Sequence, residues 1–120
     1  MVPTILFKND EPFMILGALG GSVIISAVLQ TILNIVDFGM SPMEAVSVPR
    51  IHSEGEFVHV EARVESSQIA VLESFGHKIK KSPYSFDPMM ARCHVILKDK
   101  KNWKAGADPR SGGGVAFARV

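Results

Sequence analysis

The two adjacent glycines of Gly20-Gly21-Ser22 stand between an apolar stretch that predicts a strand and a longer one that predicts a helix. Backbone N–H groups at a helix start have no partner within the helix and lie at the positive end of its dipole. Such a turn can hold a carboxylate, a phosphate or the oxyanion of a transition state. Close packing of strand against helix, which glycine also permits, is the alternative explanation of the same residues.

The glycines do not form either of the common nucleotide-binding motifs. Gly17, Gly20 and Gly21 lack the spacing of the dinucleotide fingerprint, and the Lys-Ser or Lys-Thr pair of a phosphate loop does not follow them. We therefore predict no nucleotide cofactor at this turn.

The other residues with catalytic or ligand chemistry are scattered. The histidines are separated by 7, 18 and 17 residues, too far for a local pair of metal ligands: His52, His59, His77 and His94. The single cysteine, Cys93, directly precedes His94, and neighbouring residues in a strand face opposite sides, so the two are poorly placed as nucleophile and base. We interpret Cys93 as a small core residue and predict no metal site and no cofactor.

The length of 120 residues and the 47% hydrophobic content predict a single domain, residues 1–120, with a substantial core. One cysteine excludes an internal disulfide. Ten of the 13 lysines and arginines lie between residues 76 and 120, in short clusters beside turn-forming residues. Few aromatic residues accompany them, so we expect solvated strand ends and no nucleic-acid partner.

The 24 residues from Phe13 to Val36 carry no charge and are long enough to cross a bilayer. The glycine turn interrupts them, and Gln30 and Asn34 place amides deep in the segment. We predict a strand, a turn and a buried helix here, without a membrane span. Charged residues precede the apolar run, so we predict no signal peptide, and the compartment stays open.

The remaining patterns predict an α+β fold of largely antiparallel strands with one buried apolar helix. The chain starts as a β-hairpin, residues 2–7 and 13–16, around the turn at 9–12. We predict helices from an N-cap at Ser22 to about Phe38, from the capping box Ser41-Pro42-Met43-Glu44 to Pro49, and from a cap at Ser66 or Ser67 to Phe75. Further strands are expected at 57–62, 78–82, 91–97 and near Trp103.

An ordered set of segments resembles the small subunit of γ-glutamyltranspeptidases. The matching segments are Pro3-Thr4-Ile5, residues 17–25, residues 28–34, Asp37-Phe38-Gly39-Met40, Glu44-Ala45, Pro49-Arg50 with His52, Val60-Glu61, Gly76-His77, and Asp108-Pro109-Arg110 followed by glycines. Each segment alone is unspecific. Their shared order and spacing over nearly the whole chain make the resemblance specific.

The resemblance implies an N-terminal-nucleophile hydrolase, an αββα sandwich made by self-cleavage into two subunits. Members of the family transfer a γ-glutamyl group from glutathione or related amides to water or an amino acid. Their nucleophile is the threonine that begins the small subunit, and two glycine N–H groups hold the oxyanion. Those glycines correspond to Gly20 and Gly21, in agreement with the independent reading of the turn.

The resemblance also implies that other parts of the site are missing. Thr4 and Thr31 are the only threonines, and neither is expected to be the processed nucleophile. The family's substrate-binding serine pair comes just before the segment where this chain begins. We therefore expect a fragment or split subunit that is inactive alone and needs a polypeptide with the rest of the fold, or self-association. The alternative is a non-catalytic module of the same origin that serves packing, assembly or ligand binding.

Overall fold

The computed structural model of the chain describes residues 3–118. In order, the elements are β1 (Thr4–Lys8), β2 (Glu11–Leu19), a 3-10 turn (Gly21–Val23), α1 (Ile24–Val36), α2 (Pro42–Ser47), β3 (Ile51–Ser53), β4 (Val58–Val60), α3 (Ser66–Ser74), β5 (Ile79–Lys81), β6 (Arg92–Asp99) and β7 (Asn102–Gly106). The hairpin, the three helices and the later strands agree with the sequence patterns. Val2, predicted as a strand residue, lies outside the described residues.

Strands β1, β2, β6 and β7 form an antiparallel sheet in the order β1-β2-β6-β7. Side chains alternate across a strand, so Met14, Leu16 and Ala18 of β2 share one face with Cys93 and Val95 of β6. Helices α1 and α2 cover that face and complete the larger core. Cys93 is fully buried there, as predicted for a core residue.

The opposite face of this sheet is open within residues 3–118. Ile15 and Ile96 pair across β2 and β6 on that side, and both remain substantially exposed. Together with Gly17, His94 and Ala105 they line a shallow apolar pocket of about 520 Å³. A sheet with two apolar faces is normally covered on both.

Helix α1 is apolar on two sides, but only one side packs against the sheet. Ala27, Val28 and Ile35 are buried, whereas Ile25 is 72% exposed and Leu29 53% exposed. Within the described residues, the predicted buried helix is therefore buried on one face only. The other face is a second uncovered apolar surface.

The amide side chains of α1 form hydrogen bonds with the backbone of β3 and α2. The Gln30 amide donates to the carbonyl of Ile51 and accepts from the Ile51 N–H, at 2.7 and 3.1 Å. Asn34 donates to the carbonyl of Ala45 in α2 at 3.1 Å. These bonds satisfy backbone groups between elements, which explains why amides occur in an apolar helix.

A smaller sheet, β3-β4-β5, packs Val58, Val60 and Val64 into a second core. Strand β4 pairs antiparallel with β3 and parallel with β5, with α3 in the connection between β4 and β5. The sequence did not predict β3. The N-cap of α3 is Glu65 rather than Ser66 or Ser67, because Glu65 and Gln68 form their own capping box.

The apolar run from residue 13 to 36 does not form one continuous helix. Its first part belongs to β2, the glycine turn follows, and α1 contains 13 residues. No helix within residues 3–118 is long and apolar enough to cross a membrane.

Candidate functional site

The glycine turn joins the end of β2 to α1 through backbone conformations that favour glycine. The φ angle of Gly20 is 146° and that of Gly21 is 69°. A Cβ atom on Gly20 would lie 2.8 Å from the Cα atom of Ala91, so this position also excludes a side chain sterically. A Cβ atom on Gly21 would meet nothing within 4 Å. Gly20 therefore serves close packing as well, whereas Gly21 faces open space.

Ser22 is not the helix N-cap that the sequence predicted. Gly20 caps the 3-10 turn and Val23 caps α1, both without a side-chain hydrogen bond. The Ser22 hydroxyl instead donates to Oε1 of Glu54 in the connection after β3. The start of the helix is thus left without a side-chain acceptor of its own, and the N–H of Ile24 bonds back to the carbonyls of Gly21 and Ser22.

A pocket of about 300 Å³ opens beside the turn. The described residues that line it are Gly20, Ser22, Val23, His52, Glu54, His59, Asp87, Met89 and Met90. Polar and titratable side chains from three separate segments therefore meet next to the glycines. This convergence is typical of a ligand site.

A hydrogen-bonded series of side chains forms one wall of the pocket. The Ser26 hydroxyl and Nδ1 of His52 are 2.8 Å apart, and Nε2 of His52 lies 3.1 Å from Oε1 of Glu54. With the proton on Nε2, His52 donates to Glu54 and accepts from Ser26. Hydrogen bonds from Ser22 and then from His52 lower the pKa of Glu54, so its carboxylate is ionised at neutral pH.

Four buried charged residues form an ion-pair network behind the pocket. The Glu61 carboxylate accepts two hydrogen bonds from Arg110: Nε donates to Oε1 and Nη2 donates to Oε2, both at 2.6 Å. Asp108 pairs with Nη1 of Arg50 at 2.7 Å and with Nη1 of Arg110 at 3.1 Å. Burial and the charge of Arg110 lower the pKa of Arg50, against the effect of Asp108. The network holds two carboxylates against two guanidinium groups, which compensates the cost of burying them.

This network also holds the far wall of the pocket. Oε1 of Glu61 accepts from the backbone N–H of Asp87 at 2.8 Å. Nη1 of Arg50 donates to the carbonyls of Met90 and Ala91 at 3.2 and 3.1 Å. Because Gly20 packs directly on Ala91, the network positions the segment against which the glycine turn rests.

The structure places the other predicted candidates in different environments. His52 and His59 line the pocket, whereas His94 lies on the open sheet face, where its Nδ1 accepts from the Asp108 N–H at 3.2 Å. Burial raises the pKa of the Cys93 thiol, which favours packing over reactivity. Within residues 3–118, no three His, Cys, Asp or Glu side chains are arranged to hold a metal ion.

In the sequence, Arg50, Glu61, Asp108 and Arg110 occurred only within the segments that resemble the family. No structural or catalytic role was predicted for them. The one local signal was a charge beside apolar residues, as at Glu61 between Val60 and Ala62. Glu54 carried no signal at all. Its importance follows from the contacts that Ser22 and His52 make with it in the folded chain.

Comparison with known families gives the context of this site. The family model described as gamma-glutamyltranspeptidase matches residues 1–118. The chain belongs to the γ-glutamyltranspeptidase family. This result confirms the resemblance found in the sequence.

Individual relatives agree with the family assignment. The chain is 43% identical over 84 residues to a glutathione hydrolase proenzyme of Bacillus subtilis, an alignment that covers 69% of this chain and 14% of that protein. A γ-glutamyltranspeptidase T380A mutant of Helicobacter pylori matches with a TM-score of 0.81 and 32% identity over 92% of this chain and 61% of that one. A cephalosporin acylase of Bacillus halodurans matches with a TM-score of 0.89 and 30% identity over 98% of this chain and 22% of that one.

These neighbours confirm the predicted fold class. The chain has an α+β fold with largely antiparallel strands and forms part of an αββα-sandwich N-terminal-nucleophile hydrolase fold. It spans about one seventh of the length of the first curated relative.

Proposed function

We propose that this chain is part of a γ-glutamyltranspeptidase, to which it supplies the oxyanion-binding glycines Gly20 and Gly21. The observation that carries the proposal is the glycine turn beside the pocket. Both glycines have positive φ angles, and both lie at the start of the turn that leads into α1, where N–H groups lack helical partners. Family membership supports transfer of a γ-glutamyl group as the reaction.

The chemistry assigned to the turn is stabilisation of negative charge. When a nucleophile attacks a γ-glutamyl carbonyl, the oxygen becomes an oxyanion, and two backbone donors fixed in advance stabilise it. Gly21 suits this role because no described atom approaches within 4 Å of the position that its side chain would take.

The nucleophile in this proposal comes from outside the described part of the chain. Thr31 is fully buried in α1 and donates to the carbonyl of Ala27 at 2.8 Å. Thr4 lies in β1, paired with Leu16 of β2. Neither threonine carries a free amine of its own in this sequence, so neither can be activated as an N-terminal nucleophile.

We expect the pure chain to release no product from a γ-glutamyl anilide. Oxyanion donors have nothing to act on without a nucleophile and a substrate clamp. The assembled protein, meaning this chain with the polypeptide that carries the rest of the fold, should release p-nitroaniline from γ-glutamyl-p-nitroanilide. Turnover by the pure chain that disappears on a substitution within it would contradict the first expectation. An assembly that forms without activity would favour the non-catalytic module.

The uncovered surfaces support a partner polypeptide or self-association. The open face of the larger sheet and the outer face of α1 both present apolar side chains to solvent. The relative from Bacillus subtilis is named a proenzyme, and the chain covers only a small share of it. Missing sequence of the same fold is therefore the occupant that we propose for both faces.

The isolated chain should associate or bind a hydrophobic dye because these apolar faces are uncovered. Replacing Leu29 with asparagine should reduce dye fluorescence and light scattering, because its side chain belongs to the outer face of α1. Met43→Asn in α2 is the matched control, because the exposed fractions of Met43 and Leu29 are similar, at 51% and 53%. A dilute monomer that binds no dye would show that the faces need no cover. Equal effects of the two substitutions would show that the outer face of α1 contributes no more to association and dye binding than other exposed apolar residues do.

A further inference from the structure

The two glycines of the turn are supported by different contacts. Gly20 packs against Ala91, whose Cα atom lies 2.8 Å from the place where a Cβ atom of Gly20 would be. Gly21 has no such neighbour, because a Cβ atom there would meet nothing within 4 Å. Packing therefore fixes Gly20, whereas the orientation of Gly21 depends on the residues beside it in the chain.

Ser22 connects Gly21 to a distant part of the chain. It directly follows Gly21 within the same 3-10 turn, so a movement of one residue changes the backbone of the other. The Ser22 hydroxyl donates to Oε1 of Glu54, 32 residues away in the connection between β3 and β4. This hydrogen bond anchors the part of the turn that packing leaves unsupported.

Glu54 is itself held in place by a second hydrogen bond. Its Oε1 lies 3.1 Å from Nε2 of His52, and Nδ1 of the same ring lies 2.8 Å from the Ser26 hydroxyl in α1. Two serines at the start of the helical region are thus joined through His52 and Glu54. The His52 side chain is only 10% exposed, which keeps this connection partly shielded from water. Glu54 is therefore an oriented acceptor for Ser22.

The charge of Glu54 strengthens its bond to Ser22. Hydrogen bonds from Ser22 and then from His52 lower the pKa of this carboxyl group, so it is ionised at neutral pH. A hydrogen bond to an ionised acceptor is roughly twice as strong as one between neutral groups. Oxyanion donors must point at the place where negative charge develops, and a misplacement of about 1 Å can cost about 100-fold in rate. One surface hydrogen bond can therefore matter more for rate than for stability.

We propose that Glu54 is a positioning residue for γ-glutamyl transfer, which acts through the Ser22 hydroxyl to fix the direction of the Gly21 N–H group. The inference rests on the proposed function of the glycine pair and adds the side chains that hold the second donor. Glu54 touches no reacting atom in this role. Its effect passes through one hydrogen bond, so the loss of either partner should have the same consequence.

The test is the rate of p-nitroaniline release by the assembled protein, with water as the only acceptor. Ser22→Ala and Glu54→Ala should each lower kcat by about tenfold, less than the 100-fold or more that loss of the donor itself costs. KM should stay constant, because a donor aimed at the oxyanion acts in the transition state. The double variant should lose no more than either single variant, because all three remove the same bond.

Conservative substitutions and a control accompany these variants. Ser22→Thr keeps the hydroxyl and should restore most of the kcat that Ser22→Ala loses. Glu54→Gln keeps an oxygen that can accept from Ser22 and should lose less than Glu54→Ala. Glu56→Ala is the matched control, because Glu56 is similarly exposed but lies 3.9 Å from Nζ of Lys78, outside the pocket lining. It should leave kcat unchanged.

A second measurement follows the Gly21 N–H group directly. In the assembled protein with isotope-labelled glycine, the NMR resonance of this group should shift alike in Ser22→Ala and Glu54→Ala. It should not move in Glu56→Ala. The melting temperature should change little in all three variants, because the bonds removed lie on the surface.

The outcomes separate this inference from the proposed function. If the unmodified protein turns over substrate but the two single losses multiply in the double variant, the inference is wrong and the proposed function stands. A rise in KM in place of the fall in kcat, or an equal loss in Glu56→Ala, would also overturn it. If the unmodified protein shows no turnover, the proposed function fails. The Gly21 resonance then decides the structural part alone, and a resonance that stays in place in Ser22→Ala and Glu54→Ala overturns that part too.

Discussion

Replacing Gly21 with valine should lower turnover of the assembled protein by about 100-fold to 1,000-fold, the usual cost of losing one oxyanion donor. The φ angle of 69° lies in the left-handed region, which a β-branched residue adopts only with strain. Relief of that strain moves the N–H group away from the position where the oxyanion forms. The rate of p-nitroaniline release at saturating γ-glutamyl-p-nitroanilide measures the effect.

Gly39→Val separates this loss from general destabilisation. Gly39 follows α1 with a φ angle of 65°, and a Cβ atom there would also meet nothing within 4 Å. The two substitutions therefore impose a similar backbone strain of about 1 to 2 kcal/mol. Gly39→Val should lower the melting temperature to a similar extent without lowering turnover. If the two variants lost turnover equally, the effect at Gly21 would be general backbone destabilisation and the oxyanion assignment would fall.

Local patterns predicted most of the elements because their causes are local. The apolar stretch after the turn at 9–12, which predicts a strand, and the capping box at Ser41 depend on residues within a few positions of one another, and both occur in the structure as expected. The glycine turn was predicted for the same reason. Strand β3 was missed because Ile51-His52-Ser53 contains a single apolar residue, which is too few to show an alternation. Glu65 was missed as a cap because adjacent serines fit the same pattern.

Long-range features could not be predicted, because their causes lie far apart in the chain. Arg110 and Glu61 are 49 residues apart, and Ser22 and Glu54 are 32 residues apart. No periodic pattern connects such positions, so neither the buried network nor the wall of the pocket followed from the sequence. The two faces of α1 are similarly apolar. The sequence therefore predicted a buried helix without indicating which face this chain itself covers.

Replacing Glu61 with glutamine should destabilise the assembled protein by about 3 to 5 kcal/mol, because it leaves a buried guanidinium without its main counter-charge. Both side chains of the Glu61–Arg110 pair are fully buried, with two contacts of 2.6 Å. Burial alone would lower the pKa of Arg110, but the hydrogen bonds and charge of Glu61, and then those of Asp108, raise it. Urea unfolding of the assembled protein measures the loss.

Glu56→Gln is the control, because the ion pair between Glu56 and Lys78 lies on the surface, with both side chains about 70% exposed. Such pairs contribute about 0 to 1 kcal/mol, so its unfolding midpoint should barely move. Glu61 also accepts from the N–H of Arg50 and the N–H of Asp87, so its loss should loosen the pocket wall as well. Amide hydrogen exchange at residues 87–91 should therefore rise in Glu61→Gln and stay constant in Glu56→Gln. Equal stability of the two variants would mean that Asp108 alone compensates Arg110, and the network would not be what holds the wall against Gly20.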